Sequence, residues 1–268
     1  MRLAAREPDE QATRARFPFS VPAIRALAGE TLCFDAPVTF FVGENGSGKS
    51  TLLEALACAA RCSTVGSNES DADTTLDAVR QLASHLRLSW AKRNHRGFFL
   101  RSEDFFGFVK RIRSMREGLE ADLARVDVDL AHASEYARTL AKGPYHKELG
   151  ELRRRYGEDL DHASHGESFF TLFRARFVPG GLYLMDEPEA PLSPLRRIAL
   201  IGMLRKLVEQ HGAQFIIATH CPMLMAYPGA QIILFEAGRL QQTSYTDLEY
   251  VQLTRDFLAA PDRFLRKL

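Results

Sequence analysis

The chain has 268 residues, 46% of them hydrophobic, and a formal net charge of +1. This length allows one large domain or a core domain with a smaller appendage, and the near-zero charge means that any surface for an anionic partner would be local. The sequence contains no run of eighteen apolar residues and no apolar signal segment, which predicts a cytoplasmic protein without a transmembrane segment of its own. The cysteines are scattered and are expected to be reduced, buried thiols, with a metal site as the less favoured alternative: Cys33, Cys58, Cys62 and Cys221.

The N-terminal region divides into two predicted parts. Residues 1–16 are polar and charged without apolar periodicity, so we expect a flexible leader before a single domain at 17–268. Residues 17–27 alternate apolar and polar side chains around two prolines, which favours an edge strand, and 32–34 resembles a second short strand. These strands predict an N-terminal antiparallel β part.

A strand at 38–42 leads into the loop GENGSGKS at 43–50, and a helix follows from Lys49 to about residue 62. The loop matches the phosphate-binding pattern G-x-x-x-x-G-K-[ST]. Its glycines let backbone N–H groups turn toward phosphate oxygens, Lys49 supplies a positive charge for the β- and γ-phosphates, and the Ser50 hydroxyl is a candidate Mg²⁺ ligand. A nucleotide site is therefore predicted in preference to an unrelated glycine-rich turn.

The middle of the chain changes to helical patterning. Strands at 86–91 and 98–101, joined by the basic turn KRNHRG, predict a hairpin, and 108–140 carries heptad-like apolar spacing. Because the return segment at 146–160 is short, we favour a helical insertion subdomain at 107–163 over a true coiled coil. A basic cluster lies along the hairpin and the first helical turns: Arg87, Lys92, Arg93, Arg96, Lys110, Arg111 and Arg113. It could form a nucleic-acid groove, although a solvated face is favoured.

The second half alternates strands and helices. An apolar strand at 181–185 precedes Asp186-Glu187, a helix is predicted at 194–211, a strand at 214–218 precedes Thr219-His220, and 232–235 with 240–243 predict a closing hairpin. This alternation predicts an α/β fold with a mostly parallel sheet flanked by helices.

Three polar residues follow the buried strands of this sheet. Asp186 is placed to hold Mg²⁺ opposite Ser50, and Glu187 could polarise a water molecule against the γ-phosphate. The alternative is that both acidic residues only cap the strand. His220 emerges at the same sheet edge, which favours contact with the γ-phosphate over a purely structural role.

The order of these motifs resembles the ATP-binding cassette (ABC) ATPases, and within them the soluble branch related to chromosome-maintenance (SMC) and RecF-like proteins and to small bacterial predicted ATPases of the AAA/ABC-like type. GENGSGKST resembles the first nucleotide motif, SHGES at 164–168 a variant signature motif, DEPEAPLSP the acidic strand with its D-loop, and ATHCP the switch-histidine segment. The likeness covers about residues 17–260 and implies the P-loop fold of an ABC ATPase head.

The resemblance also implies that two molecules sandwich two ATP molecules. One subunit would contribute its phosphate loop, Asp186, Glu187 and His220, while the other would contribute its signature, and 190–193 would run along the interface. The implied nucleotide-binding residues are Gly43, Glu44, Asn45, Gly46, Ser47, Gly48, Lys49, Ser50, Thr51, Ser164, Gly166, Glu167 and Ser168.

Two features depart from the pattern of transporter cassettes. The signature lacks Leu-Ser-Gly-Gly-Gln, and no glutamine occupies the expected Q-loop region. Glu103 in that region is a weak candidate for contact with the metal or with water. Phe17 and Phe19 are candidates for stacking on adenine, and both also fit core positions.

The sequence therefore predicts a Mg²⁺-dependent ATPase, with Lys49, Glu187 and His220 as catalytic residues, that forms a homodimer on binding ATP. The client is not indicated, and DNA-related or defence roles are compatible with the basic cluster. The alternative is the ATP-binding subunit of an ABC transporter, against which the signature and the missing glutamine argue.

Overall fold

The computed structural model describes residues 1–8, 11–65, 77–91, 96–157 and 165–266, without the side chains of residues 11, 12, 106, 165 and 166. The chain divides into two compact units. The first contains Met1–Ser102 and Val178–Leu268, and the second contains Glu103–Phe177. The second unit is helical and extends beyond both ends of the insertion expected at 107–163.

The strands and helices are numbered in chain order. The strands are β1 (Arg2–Ala5), β2 (Thr31–Cys33), β3 (Val38–Gly43), β4 (Ser63–Thr64), β5 (Leu86–Ser89), β6 (Gly97–Arg101), β7 (Leu182–Asp186), β8 (Gln214–Ala218), β9 (Gln231–Glu236) and β10 (Arg239–Thr243). The helices are α1 (Gln11–Arg14), α2 (Pro22–Leu27), α3 (Lys49–Ala60), α4 (Asp77–Ser84), α5 (Ser102–Asp129), α6 (Glu135–Tyr156), α7 (His165–Arg176), α8 (Pro194–His211), α9 (Pro222–Met225), α10 (Glu249–Ala259) and α11 (Pro261–Leu265).

The larger sheet has the strand order β10-β9-β3-β8-β7-β6-β4. All neighbours are parallel except β10, which pairs antiparallel with β9 in the closing hairpin. The central strands β3, β7 and β8 are buried along almost their whole length, as expected for a sheet covered on both faces by helices. The predicted α/β core with a mostly parallel sheet is confirmed.

The smaller sheet is antiparallel, with the order β2-β1-β5. The predicted N-terminal antiparallel part therefore exists, but its strands differ from those expected. Arg2–Ala5 forms the central strand, so the prediction of a flexible leader is wrong for these residues. Leu3 is fully buried, but four residues with one large apolar side chain are too weak a signal to reveal a strand.

Residues 17–27 are not an edge strand, because Pro22–Leu27 forms helix α2. Proline at the first helical position has no N–H to satisfy and a backbone angle already suited to the helix. The buried side chains Ala23, Ile24 and Leu27 follow helical spacing. The two prolines had favoured an edge strand, whereas one of them begins a helix.

The hairpin predicted over 86–101 is also wrong. Strand β5 pairs with β1 in the smaller sheet, while β6 lies between β4 and β7 in the larger sheet. The two strands therefore belong to different sheets, and the turn at 92–95 lies outside the described residues. The spacing of two short strands does not specify whether they pair with each other.

The helical unit contains an antiparallel pair of helices, α5 and α6, and the shorter helix α7. Lys142 Nζ lies 2.5 Å from Asp127 Oδ1 near the turn, and the rings of Phe108 and Tyr156 are 5.7 Å apart near the other end. Helix α5 ends at Asp129, so the helical run predicted at 108–140 is interrupted. Ser134 caps α6 by accepting a hydrogen bond from the backbone N–H of Ala137 at 3.2 Å, which explains where the return helix begins.

Among the glycines of the described ranges, Gly97 leaves the least space for a side chain. Its φ is +129°, and a Cβ atom added there would lie 1.8 Å from the carbonyl oxygen of Leu182 on the neighbouring strand β7. A side chain at this position would therefore require both a strained backbone and a shift of β7.

We predict that Gly97→Ala lowers the free energy of unfolding of this sheet by roughly 2–4 kcal/mol, the sum of the backbone strain and the steric overlap. Urea titration followed by circular dichroism measures the change. Gly202→Ala is the matched control, because Gly202 lies in α8 with no atom within 4 Å of the added Cβ, and it should be neutral or stabilising. Equal stability of the two variants would contradict the packing described for Gly97.

Candidate functional site

Three parallel strands of the larger sheet end at one edge with polar residues. Strand β3 leads into the phosphate loop, β7 ends at Asp186, and β8 is followed by Thr219 and His220. Because β3, β8 and β7 are adjacent and parallel, these groups meet at the carboxyl edge where ligands bind in such sheets. The predicted convergence of these strand ends is present.

The phosphate loop has a shape that requires glycine at two positions. A Cβ on Gly43, where φ is +148°, would lie 2.3 Å from the carbonyl oxygen of Phe235, and one on Gly48, where φ is +101°, would lie 2.7 Å from Val21 Cγ1. Gly48 is also the N-cap residue of α3 and has no side chain to accept a hydrogen bond from the first helical turn. The loop thus delivers a helix N-terminus suited to binding an anion.

Lys49 is buried within this loop, with 5% of its surface exposed. Its Nζ donates hydrogen bonds of 2.8 Å to the carbonyl oxygens of Gly43 and Glu44 and lies 3.5 Å from Ser47 Oγ. Burial lowers the pKa of Lys49, while the negative charges of Asp186 and Glu187 act in the opposite direction. The ammonium group therefore lies in the electrostatic field of the two acidic residues at and just after the end of β7.

Glu187 has a left-handed backbone with φ of +49°, which is uncommon for a residue other than glycine. Three hydrogen bonds hold this conformation: Glu187 N donates to Ala218 O at 2.9 Å, and Glu187 O accepts from Ala190 N at 3.0 Å and from the Ser102 hydroxyl. The Ser102 hydroxyl also lies 3.2 Å from the carbonyl oxygen of Asp186. Strained backbone that is held in this way is concentrated at functional sites.

Ser102 was not singled out from the sequence. It follows β6 in the region where the ABC pattern has its Q-loop, and it holds the backbone after β7 rather than presenting a glutamine side chain. Glu103, the weak candidate there, is exposed at the start of α5 in the helical unit. A serine beside an acidic residue gives no recognisable sequence signal for this role.

His220 lies beside Glu187 at the sheet edge. Its Nε2 is 3.7 Å from Glu187 Oε1, and the two side chains are 37% and 49% exposed, so both can be reached from solvent. The pKa of His220 is lowered, first by burial and then by the positive charge of Lys49, with Glu187 acting in the opposite direction. The neutral imidazole is thus the favoured form near pH 7.

Glu189 is a second acidic residue of this region, and sequence analysis gave it no role. It is 7% exposed, and its Oε1 accepts hydrogen bonds from the Thr219 hydroxyl and from the backbone N–H of His220 at 3.2 Å. Burial raises the pKa of Glu189, and the bond from Thr219 opposes that shift. The only sequence signal was a second glutamate two residues beyond Glu187.

The residues predicted to hold Mg²⁺ are Ser50, exposed in the first turn of α3, and Asp186, half-buried at the end of β7. Hydroxyl and carboxylate oxygens suit this hard cation, which is commonly bound by one or two protein oxygens together with phosphate oxygens and water. No group of three or more His, Cys, Asp or Glu residues arranged to hold a metal occurs in the described ranges. The two residues therefore fit a cation that arrives with a phosphate ligand.

The four cysteines are thiols that are not joined in disulfides, two of them buried and two half-buried.

The signature segment lies in the helical unit. Ser164 is outside the described residues, while Gly166, Glu167 and Ser168 lie in the first turns of α7. Glu167 is exposed, whereas Ser168 is 3% exposed, which argues against direct contact between the Ser168 side chain and a nucleotide.

A cavity of about 740 Å³ adjoins the outer side of the phosphate loop. It is lined by loop residues 43–47, His220, the end of β9 and the start of α10, including Tyr250 and Leu253. Neither of the aromatic residues considered for adenine stacking lines it. Phe19 is a core residue that packs against His85 with ring centroids 5.0 Å apart, and Phe17 is 55% exposed.

The basic cluster considered for nucleic acid does not form one hairpin surface. Arg87 lies on β5 of the smaller sheet, whereas Lys110, Arg111 and Arg113 lie on α5 in the helical unit. Lys92 and Arg93 are outside the described residues. The two strands expected to form the hairpin that carries this cluster lie in different sheets, and nucleic-acid binding stays a prediction.

Comparison with known proteins shows similarity to ATP-binding proteins. Residues 21–82, which contain the phosphate loop, match the family described as AAA domain. The macrolide export ATP-binding/permease protein MacB of Bordetella avium is 28% identical over 206 residues, covering 74% of this chain and 28% of that protein. The molybdenum import ATP-binding protein ModC of Thiobacillus denitrificans is 28% identical over 231 residues, covering 86% of this chain and 58% of that protein. The similarity to ABC-type ATP-binding proteins that the motifs indicate is confirmed.

The chain spans 28% and 58% of the lengths of these two relatives. Among solved structures, the Smc head domain of Pyrococcus furiosus, bound to the C-terminal domain of ScpA, aligns over 85% of this chain and 94% of its own, with 14% identity and a TM-score of 0.40. Within the described ranges, no helix combines the length and apolar character that crossing a membrane requires.

We predict that the His220 ring titrates below the ordinary histidine value of 6.5, because burial and Lys49 disfavour its charged form. The unfolded chain then binds a proton at this residue more readily than the folded chain. The free energy of unfolding is therefore unaffected by His220 above pH 6.5 and decreases as pH falls below that value. NMR titration of the ring, with the signal assigned by its loss in His220→Asn, measures the midpoint.

Lys49→Ala should raise the His220 midpoint, because it removes a positive charge, whereas Lys206→Ala should leave it unchanged, since Lys206 lies exposed on α8. A midpoint at or above 6.5 in the unaltered protein would contradict the electrostatic description of the site.

Proposed function

We propose that this chain binds ATP together with Mg²⁺ and hydrolyses the γ-phosphate, and that ATP binding drives homodimerisation. The observation that carries the proposal is the position of Lys49. Its buried ammonium group lies in a glycine-dependent phosphate loop and interacts electrostatically with Asp186 and Glu187 at the same sheet edge. The ATP-binding relatives support the choice of ATP over other triphosphates.

Binding begins with the phosphate loop. The amides at the start of α3 and the ammonium group of Lys49 would surround the β- and γ-phosphates and stabilise their negative charge. Glu187, half-exposed at the end of β7, would orient the attacking water and accept its proton. Neutral His220, 3.7 Å from the Glu187 carboxylate, would donate a hydrogen bond to a γ-phosphate oxygen without adding charge.

Ser50 and Asp186 would hold Mg²⁺, directly or through water. When bound, this ion supplies charge neutralisation for the β- and γ-phosphate oxygens. The remaining contributions come from the chain itself, which positions the phosphates, orients the water and fixes His220 beside the reacting group.

The base and ribose would occupy the cavity beside the phosphate loop. That cavity lies toward β9, which flanks β3 on the side opposite to β8 and β7. The triphosphate would then extend from the β9 side toward Glu187. Leu253 and Tyr250 on α10 provide apolar and aromatic surface of the kind that favours a flat base.

Dimerisation would bring the signature of a second molecule to this site. Gly166 and Glu167 in the first turn of α7, with Ser164 before it, would contact the γ-phosphate through backbone and side-chain groups. The buried position of Ser168 gives it a supporting role within α7. The exposed Ala190 and Ser193 after β7 remain the proposed interface segment.

We predict that Glu187→Gln binds Mg-ATP but lowers turnover by about 10²- to 10⁴-fold, because the amide cannot accept the proton of the water. The same variant should shift from monomer to dimer with Mg-ATP, since bound ATP is no longer consumed. Phosphate release and light scattering after size exclusion measure the two effects.

Lys49→Ala should neither bind, turn over nor dimerise, while Glu209→Gln on the exposed face of α8 should behave as the unaltered protein. Normal hydrolysis by Glu187→Gln would remove Glu187 from its role. An unchanged mass with retained ATP binding would show that this chain alone does not form the sandwich.

We predict that Leu253→Ala raises KM for ATP about fivefold with little change in kcat, because it removes about 1 kcal/mol of apolar contact made equally in the ground and transition states. Leu253 is 56% exposed, so its replacement should not disturb the core. Leu258→Ala is the matched control on the same helix, 71% exposed and away from the cavity. Equal KM values for both variants would exclude the cavity as the base subsite.

The second candidate function is the ATP-binding subunit of a transporter, which the names of the relatives favour. It would require a membrane-embedded partner, and ATP hydrolysis that appears only with that partner would favour it over the first. The variant signature and the absence of a Q-loop glutamine support the non-transport reading. A DNA-related or defence client stays a prediction.

A further inference from the structure

We propose that Glu189 is a positioning residue that fixes His220 for the reaction at the γ-phosphate. This inference rests on the proposed ATPase function. Glu189 belongs neither to the phosphate loop nor to the residues proposed to hold Mg²⁺. The inference is based on the buried carboxyl group of Glu189, which links the turn after β7 to the segment after β8 by hydrogen bonds.

Glu189 binds two consecutive residues of the second segment directly, and a third is held through one of them. Its Oε1 accepts from the Thr219 hydroxyl and from the backbone N–H of His220, and the same Thr219 hydroxyl oxygen accepts from the backbone N–H of Cys221 at 3.0 Å. Thr219 is fully buried and its own N–H donates to Phe41 O on β3 at 3.1 Å. The backbone that carries the His220 ring is therefore fixed on both sides.

The turn that carries Glu189 is itself well defined. Ala190 N donates to Glu187 O at 3.0 Å, and Leu192 N donates to Glu189 O at 2.9 Å. The turn contacts the His220 residue at two points, since Glu187 Oε1 lies near the ring and Glu189 Oε1 binds the backbone N–H. A displacement of Glu187 and of His220 relative to each other would break one of these contacts.

The environment of Glu189 is unfavourable for stability alone. The carboxyl is buried, and its Oε2 has no hydrogen-bond partner within the described part of the chain. Burying a polar atom without a partner carries a substantial free-energy penalty, and an apolar residue of similar size would avoid it. A carboxyl group at this position therefore costs stability through its unpartnered Oε2, while its Oε1 supplies the acceptor for Thr219 and His220.

Removing the acceptor should affect the chemical step rather than nucleotide binding. Without it, the His220 N–H and the Thr219 hydroxyl lose their shared partner, and the ring can move relative to Glu187. The phosphate loop and Lys49 make no contact with Glu189 in the hydrogen bonds of the described residues, so KM should change little. A misplacement of a catalytic group by about 1 Å can lower a rate by about 10²-fold.

The test compares Glu189→Ala with Glu189→Gln, which keeps a carbonyl acceptor but has no charge. Glu189→Ala is expected to lower kcat by about 10- to 100-fold with KM within about threefold of the unaltered protein, and Glu189→Gln should retain most of the activity. If Glu189→Gln is as inactive as Glu189→Ala, the residue acts through its charge and the positioning role is overturned. Unchanged kcat in Glu189→Ala also overturns it.

A second pair of variants keeps the test independent of the folding of Glu189→Ala. Thr219→Val, which cannot donate to Glu189, should lower kcat, while Thr219→Ser should not. The double variant Glu189→Ala/Thr219→Val should be no slower than the slower single variant, because both remove one shared contact. Additive losses would show that the two residues act separately and would overturn the proposal.

Hydrogen exchange of the His220 amide provides a readout that does not depend on ATPase activity. Exchange should be faster in Glu189→Ala than in Glu189→Gln, while the Phe41–Ala218 strand pair stays protected. If the unaltered protein hydrolyses no ATP, the proposed function fails, and this exchange still decides whether Glu189 fixes His220. Equal exchange in both variants overturns the positioning role.

Discussion

The parallel pairing of β3 with β8 and β9 is the constraint on which the candidate site depends. It sets Phe41 opposite Ala218 and Gly43 opposite Phe235, so the phosphate loop leaves the sheet beside the histidine segment. Register in a buried sheet is strongly specified, because a slip of one residue would turn the apolar side chains to the wrong face. The relative positions of the charged groups therefore follow from backbone hydrogen bonds and from packing, before any interaction among those groups.

Elements whose ends are marked by local chemistry were predictable from the sequence. Helix α8 occupies the predicted residues 194–211, because Pro194 suits its first turn and Gly212 adopts the left-handed conformation that ends it. Strand β8 also occupies its predicted residues, since a short, continuously apolar run between polar residues indicates a strand buried on both faces. Of the catalytic candidates, Lys49 was recognisable from the phosphate-loop pattern, and Glu187 and His220 because they come just after such strands.

Features that depend on distant parts of the chain were not predictable. Strand β1 becomes ordered by pairing with β5, more than eighty residues away, and its four residues carry no pattern of their own. The contact of Glu189 with Thr219 joins residues thirty positions apart through one side-chain oxygen. Helix α2 was mistaken for a strand because proline marks both edge strands and helix starts, and only packing against the core decides between them.

The hydrogen bonds of Lys49 would make the proposed binding of a nucleotide a competition between phosphate oxygens and carbonyl groups of the loop. In the free protein, two of the three ammonium protons are already engaged by carbonyl oxygens of the lysine's own loop. An incoming phosphate must share or replace these acceptors, so only the difference between the two sets of contacts contributes to affinity. The same internal bonds stabilise a buried positive charge, so the shape of the loop is supported by its own hydrogen bonds as well as by any phosphate that it binds.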